Sequence, residues 1–200
     1  EARDKAIATG RIELTGVSAF PLLGDDGVKV EPWPAPKGGP KKFAVSVKAL
    51  APRRLAEPFE ELRDAADAAR AAGKEPKVFL ASLGEIVQHN VRSTWVQNYL
   101  ASGGIASLKS DGYASAEAAA AAFKSSGAQV ACICSSDAVY AERAEAAAKA
   151  LKAAGARTVL MAGRPGDKEA AFKAAGVDQF LFAGGDAVAT LKGLLGMLAV

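Results

Sequence analysis

Histidine occurs once in these 200 residues and cysteine twice, and aromatic residues make up only 6% of the chain. A single imidazole, His89, cannot build a multi-histidine metal cage, so any imidazole chemistry must use that one ring. The two thiols, Cys132 and Cys134, lie two apart in an apolar run. Residues i and i+2 of a strand share a face, a geometry that suits packing better than bridging. So few thiols fit a reducing, cytoplasmic setting. A charge surplus is also missing: 25 basic and 22 acidic residues leave a net charge of +3. Lys and Arg are scattered among acids and form no basic stripe for nucleic acid. No apolar run approaches the roughly 20 residues of a membrane span. The first residues carry no secretory pattern. They open inside a helical pattern instead, as a segment of a longer protein would.

What is present is a globular composition, half hydrophobic and 24% charged. From Lys77 onward, short apolar or β-branched runs alternate with Ala-rich helical patterns. Strands are expected over Val78–Ala81, Gly104–Ser107, Gln129–Cys134, Thr158–Ala162 and Gln179–Phe182. Helices are expected over Glu85–Ser102, Ala116–Ser126, Ala138–Ala154, Lys168–Ala175 and Ala187–Leu198. Such alternation specifies an α/β fold with a parallel sheet covered by helices on both faces. Five strands with right-handed crossovers suit the flavodoxin-like order 2-1-3-4-5. Gly103, Gly127, Gly155 and Gly176 stand where helices end in a left-handed residue. Ser115, Asp137, Asp167 and Asp186 stand where helices are capped.

The first 75 residues differ. Arg11–Gly16 reads as a single strand. The stretch from Leu22 to Lys42 is dense in Pro, Gly and charge, as an extended linker is. Leu55, Phe59, Leu62, Ala66 and Ala69 then follow the rhythm of an amphipathic helix, with Pro58 in its first turn and Gly73 at its end. One strand and one helix cannot close a core, so Phe20, Trp33 and the Leu55–Leu62 stripe need a neighbouring surface.

Ligands of open α/β sheets bind at the carboxyl ends of the strands. The first turn there, Ala81-Ser82-Leu83-Gly84, holds no acid, no histidine and no phosphate loop. In the helix that follows, Val87, Val91, Trp95 and Tyr99 form an i+4 stripe expected to face the core. His89 lies away from it, beside Arg92 and Ser93, and is expected on the helix surface or at an interface. Thiols inside an apolar strand are inert. Asp137, Asp167 and Asp186 suggest either a cation cluster or three helix caps, and capping alone accounts for each. A carboxylate at a helix N-terminus also makes that end a poor phosphate site. A phospho-acceptor receiver would need acids after the first and third strands and a Lys after the fifth, and these are missing.

The segments "LTGVSAFP", "AEPFEELRDAAD", "PKVFLASLGE", "NVRSTWVQNYLASGGI", "SGAQVACICSSDAVYAE" and "AGVDQFLFAGGDAV" resemble, in order, the C-terminal part of methylmalonyl-CoA mutases. The likeness is closest to the small, non-catalytic subunit of the bacterial heterodimeric enzymes. The resemblance implies that residues 1–19 end a (β/α) barrel, 20–76 form a linker with one helix, and 77–200 form a cobalamin-binding-like domain. Catalytic chains of that family carry D-x-H-x-x-G after the first strand, with the His on cobalt. Here the Asp position is Ala81, the His position Leu83 and the final Gly position Ile86. The family's Ser-x-Leu reads Ser135-Ser136-Asp137, and its Gly-Gly reads Gly163-Arg164. The implied role is that of a structural partner of a catalytic subunit that interconverts methylmalonyl-CoA and succinyl-CoA. Adenosylcobalamin would then be held by that partner and not by this chain. Two alternatives stand beside it. One is a cobalamin module with another cobalt ligand, such as His89. The other is a small-molecule binding domain on a flavodoxin-like scaffold. Limited proteolysis should cut first between about Leu23 and Lys42 and leave 77–200 as a core; primary cleavage inside 77–200 would refute this division.

Overall fold

The computed structural model describes residues 1–24, 29–34, 37–38, 48 and 50–198. Its elements, in chain order, are α1 (Ala2–Ala8), α2 (Glu57–Ala71), β1 (Lys77–Ser82), α3 (Ile86–Ser102), β2 (Ala106–Leu108), α4 (Ala116–Ser126), β3 (Val130–Cys134), α5 (Asp137–Ala153), β4 (Thr158–Ala162), α6 (Glu169–Ala174), β5 (Gln179–Leu181) and α7 (Ala187–Leu198). One 3-10 turn, Gly166–Lys168, precedes α6. The five strands pair in parallel in the order β2-β1-β3-β4-β5, the flavodoxin-like arrangement. No described helix is long and apolar enough to cross a membrane.

Strand alternation divides the core. Val78 and Leu80 of β1 face one side, with Val96 and Leu100 of α3 and Leu191 and Leu194 of α7. Phe79 and Ala81 face the other, with Phe123, Ala144, Leu151 and Phe172 of α4, α5 and α6. Both layers are largely alanine and leucine, which lets the helices approach the sheet closely.

The amphipathic stripe before residue 75 closes the first of these layers. Phe59, Leu62, Ala66 and Ala69 of α2 are buried, and α2 packs on α7. Ile7 of α1 joins the same cluster. Burying a large apolar side chain stabilises by roughly 1.5–3 kcal/mol each, which ties this helix to the sheet. The rest of the N-terminal segment behaves otherwise: Phe20, Leu22, Val30, Trp33 and Leu55 stay exposed. Much of the Pro- and Gly-rich arm, residues 25–28, 35–36 and 39–47, lies outside the described residues.

Several expectations are corrected. Arg11–Gly16 is no strand: it runs through bends after α1, with a single bridge between Thr15 and Ala19. Its β-branched pattern has no sheet edge beside it to pair with. The α3 stripe holds in its second half, where Trp95 and Tyr99 pack against the core, and fails in its first. Val87 and Val91 are 82% and 81% exposed, whereas His89 is 4% exposed and Ser93, Val96 and Leu100 share its buried face. Of the three proposed acidic caps, only Asp186 accepts a bond from a helix backbone, that of Ala189 at 2.9 Å. Ser136 caps α5 in place of Asp137, and Asp167 sits within the 3-10 turn. Ser115 caps α4 as expected, and Gly127 closes it in the left-handed conformation. Gly155 and Gly176 take positive φ one residue past the cap, and Gly103 leaves that task to Gly104.

If α2 is integral to the fold, Phe59→Ala should lower the unfolding free energy by about 3–5 kcal/mol. Trp33→Ala, at a side chain 89% exposed, should change it by less than about 0.5 kcal/mol. Urea denaturation measures both.

Candidate functional site

In this strand order the topological switch point lies between β1 and β3, and ligands of such sheets enter the crevice at the carboxyl ends of those strands. Here the pairing does not stop where the strands do. Leu83 N–H donates to the Cys134 carbonyl at 3.0 Å, and Ser135 Oγ donates to the Leu83 carbonyl at 2.7 Å. Ser135 is fully buried, and its own N–H is bonded to the Tyr140 hydroxyl at 2.9 Å. Tyr140 Oη lies 3.0 Å from the Ile133 carbonyl and 2.8 Å from the Ala162 carbonyl, so this hydroxyl ties the end of β3 to the end of β4. The loops that would part around a ligand are joined instead.

Above this seam lies a guanidinium. Arg92 projects from α3 and donates to the Ser135 carbonyl at 2.6 Å and to Asp137 Oδ1 at 2.6 Å. Its Cζ stands 4.9 Å from the centroid of the Tyr140 ring. On the far side is Gly163, with φ of 119°, where an added Cβ would lie 3.3 Å from Arg92 Cζ. A glycine therefore lets the guanidinium lie flat against the β4 loop. Burial works against the charge on Arg92, but the hydrogen bond to Asp137, with Tyr140 beside it, more than offsets that and raises its pKa. Burial pushes the Tyr140 phenol well up, so it stays a neutral hydrogen-bonding group. The arrangement is one planar cation shared among α3, the β3 loop and the β4 loop.

The six positions singled out in the sequence divide as follows. Ala81 is fully buried in β1. Leu83 is 1% exposed and packs into the core layer with Phe79 and Ile133, away from the crevice. Ile86 opens α3 and is exposed on its surface. Ser135, Asp137 and Gly163 do come together, around Arg92. Arg164 lies over Phe182, with Cζ 4.4 Å from the ring centroid. Arg92 and Tyr140 were not among the positions singled out. The only sign of Arg92 in the sequence is its place on the helix face of His89. Nothing local marks Tyr140, which reaches Ser135 from one turn into the next helix.

Cys132 and Cys134 are fully buried, with sulfur atoms 3.9 Å apart, and the contact with Cys134 together with burial raises the Cys132 thiol well above its usual value. Among the described residues no three His, Cys, Asp or Glu side chains gather into a metal-holding group. A second recess, of about 310 Å³, lies between α3 and the loop before α7, lined by Trp95, Tyr99, Phe182 and Gly184 and flanked by Ile7 and Phe20 of the N-terminal segment. Burial pushes the Tyr99 hydroxyl up to about 12.

Removing the shared cation should loosen three loops at once. Arg92→Ala is expected to lower the unfolding free energy by about 1–3 kcal/mol, since it leaves charge-assisted hydrogen bonds unmade. Asp137→Asn should cost under about 1 kcal/mol, because that carboxylate is 84% exposed. Equal losses in the two variants by urea denaturation would contradict the placement of Arg92 as the shared element.

No family model matches the chain. Among curated proteins it is 45% identical to the methylmalonyl-CoA mutase small subunit of Streptomyces virginiae, over 99% of this chain and 30% of that protein. It is 37% identical to the methylmalonyl-CoA mutase small subunit of Propionibacterium freudenreichii subsp. shermanii, over the same shares. It is 34% identical to the probable methylmalonyl-CoA mutase small subunit of Mycobacterium tuberculosis, over 94% of this chain and 28% of that protein. A CheY-like protein (tadZ) of Pseudomonas aeruginosa PAO1 aligns in structure with 26% identity and a TM-score of 0.44, over 62% of this chain and 93% of that one. The chain thus spans about 30% of the length of the first two relatives. Its curated homologues are thus methylmalonyl-CoA mutase small subunits, which it matches over their C-terminal part.

Proposed function

We propose that this chain is the C-terminal region of a small mutase subunit that acts as a structural partner. Its counterpart would be a catalytic subunit, in a cytoplasmic heterodimer that interconverts methylmalonyl-CoA and succinyl-CoA. On this reading adenosylcobalamin is held by the catalytic chain. Residues 1–19 close a barrel, 20–76 connect, and 77–200 keep the cobalamin-domain scaffold without its site.

One observation carries the reading. The position that would ligate cobalt is Leu83, buried in the core layer, and the crevice above it is stitched by Ser135 and covered by Arg92. A hydrocarbon side chain has no lone pair for a metal, and Ala81 offers nothing to orient an imidazole. The residues present do not fit cobalamin ligated from below, and no catalytic step is assigned to them. The alternative ligand fits no better. His89 Nε2 lies 3.2 Å from the Asp111 carbonyl and Nδ1 3.4 Å from Ser93 Oγ, so both ring nitrogens face partners within the fold. The buried stripe of α2 favours the reading over an unrelated binding domain, since it is part of the resemblance and is built into the same core.

Titration of hydroxocobalamin with this chain should leave the visible spectrum of the cobalamin unchanged. Leu83→His alone should not produce micromolar binding, because Arg92 and Asp137 still cover the crevice and Arg164 borders it. A His-ligated spectrum from that single change would overturn the blocking role given to these residues. The structural role is read separately: the complete small subunit should co-elute with the catalytic chain in gel filtration.

A further inference from the structure

The sole histidine belongs to a different part of the sheet edge. His89, beside Ser93 on the inner face of α3, meets the loop after β2. His89 Nε2–H donates to the Asp111 carbonyl at 3.2 Å, which fixes the tautomer, and Nδ1 faces Ser93 Oγ at 3.4 Å, whose hydroxyl donates to the Asn90 carbonyl. Gly112, with φ of 121°, lets that loop approach: an added Cβ there would lie 2.1 Å from the Gly84 carbonyl oxygen and 3.0 Å from His89 Nε2. The ring is a brace, and beside it opens a recess of about 400 Å³ whose lining is mostly polar.

The polar groups of that recess are out of balance. Ser82 is 1% exposed and lines the recess. Ser110 Oγ is buried and without a partner. Asn90 spends its side-chain carbonyl on the Thr94 hydroxyl, which leaves its amide N–H groups free to donate. Lys109 forms no ion pair among the described residues and stands at the rim. A buried hydroxyl without a partner, as Ser110 has, is costly and rare in folded proteins, and one explanation of such a group is a small molecule that completes it. Two hydroxyls, an amide and an ammonium are donors, and together they match an oxyanion. One residue opposes this: Asp111, an acid, also lines the recess. It disfavours a doubly charged phosphate and suits a ligand with a hydroxyl beside its anion.

We propose that this recess binds a small organic carboxylate, with Ser82, Ser110, Asn90 and Lys109 holding the carboxylate and Asp111 accepting from a neighbouring hydroxyl of the ligand. The inference does not rest on the mutase reading and uses none of the crevice residues around Arg92. Because His89 is the only histidine, its ring Hε1 proton gives a single, unambiguous histidine resonance that reports on the recess. The 200-residue chain is titrated with lactate, acetate or inorganic phosphate at constant ionic strength, with chloride as the reference, and that resonance is followed by NMR. A saturable shift is expected with lactate, a weaker one with acetate, and none with phosphate beyond that of chloride. Lys109→Met should weaken lactate binding by about tenfold or more, and Ser82→Ala should weaken it as well. Asp111→Asn should erase the preference for lactate over acetate while leaving the loop carbonyl in place. Far-UV circular dichroism and the unshifted His89 resonance of each free variant report that the fold is kept. No saturable shift with either carboxylate, tighter binding of phosphate, or lactate binding unchanged in both Lys109→Met and Ser82→Ala would each overturn the proposal.

Discussion

The bond from Ser135 Oγ to the Leu83 carbonyl governs how this molecule uses its fold. A doubly wound sheet acquires a binding crevice because the chains leaving two adjacent strands diverge to opposite faces. Here they are held together one residue beyond the strands, and the hydroxyl that holds them is fully buried. A buried hydrogen bond of this kind is expensive to break without replacement, since both partners would be left unsatisfied. Tyr140 extends the seam to β4, and Arg92 spreads one charge over the top of it. With the crevice closed from within, the side chain at the base of the first turn needs no chemistry. Leu83 contributes to the core instead.

The same exchange of chemistry for packing runs through both layers. Alanines on α4 and α5 bring those helices close to the sheet, and Phe79, Phe123 and Tyr113 fill the remaining space with ring centroids 5.6 and 5.7 Å from Phe79. On the opposite face the sheet's own helices do not suffice, and α2 supplies Phe59, Leu62 and Ala66 from outside the βα repeat. The scaffold therefore borrows part of its hydrophobic core from the segment that precedes it. What this leaves in water is informative too: Val87 and Val91 on α3, and Phe20, Trp33 and Leu55 before α2, are apolar surface unburied within the chain.

Much of this was legible in the order of residues, and for identifiable reasons. The parallel sheet followed from apolar runs too short for helices alternating with Ala-rich stretches too long for strands. The bounds of β4, α4 and α7 match the sequence reading residue for residue, because each is bracketed by strong local signals such as Ser115 and Gly127 around α4. The missing chemistry of Ala81, Leu83 and Ile86 was also legible, since the absence of a lone pair is a property of residue type alone.

Three features were decided only by tertiary structure. Arg11–Gly16 has the composition of a strand but no partner edge, and a strand exists only where another chain supplies its hydrogen bonds. The buried face of α3 could not be taken from its apolar spacing. Two faces of that helix compete, and the polar one wins near its start because His89 finds a partner in the loop after β2 and Ser93 finds partners within the helix, whereas Val87 and Val91 stay exposed. Arg92, Ser135 and Gly163 are separated by 43 and 28 positions in the chain, and only the winding of three βα units brings them together. Sequence alone determined which atoms could never hold a metal. The fold decided which atoms would fill the space instead, because filling it depends on contacts between segments that no local pattern encodes.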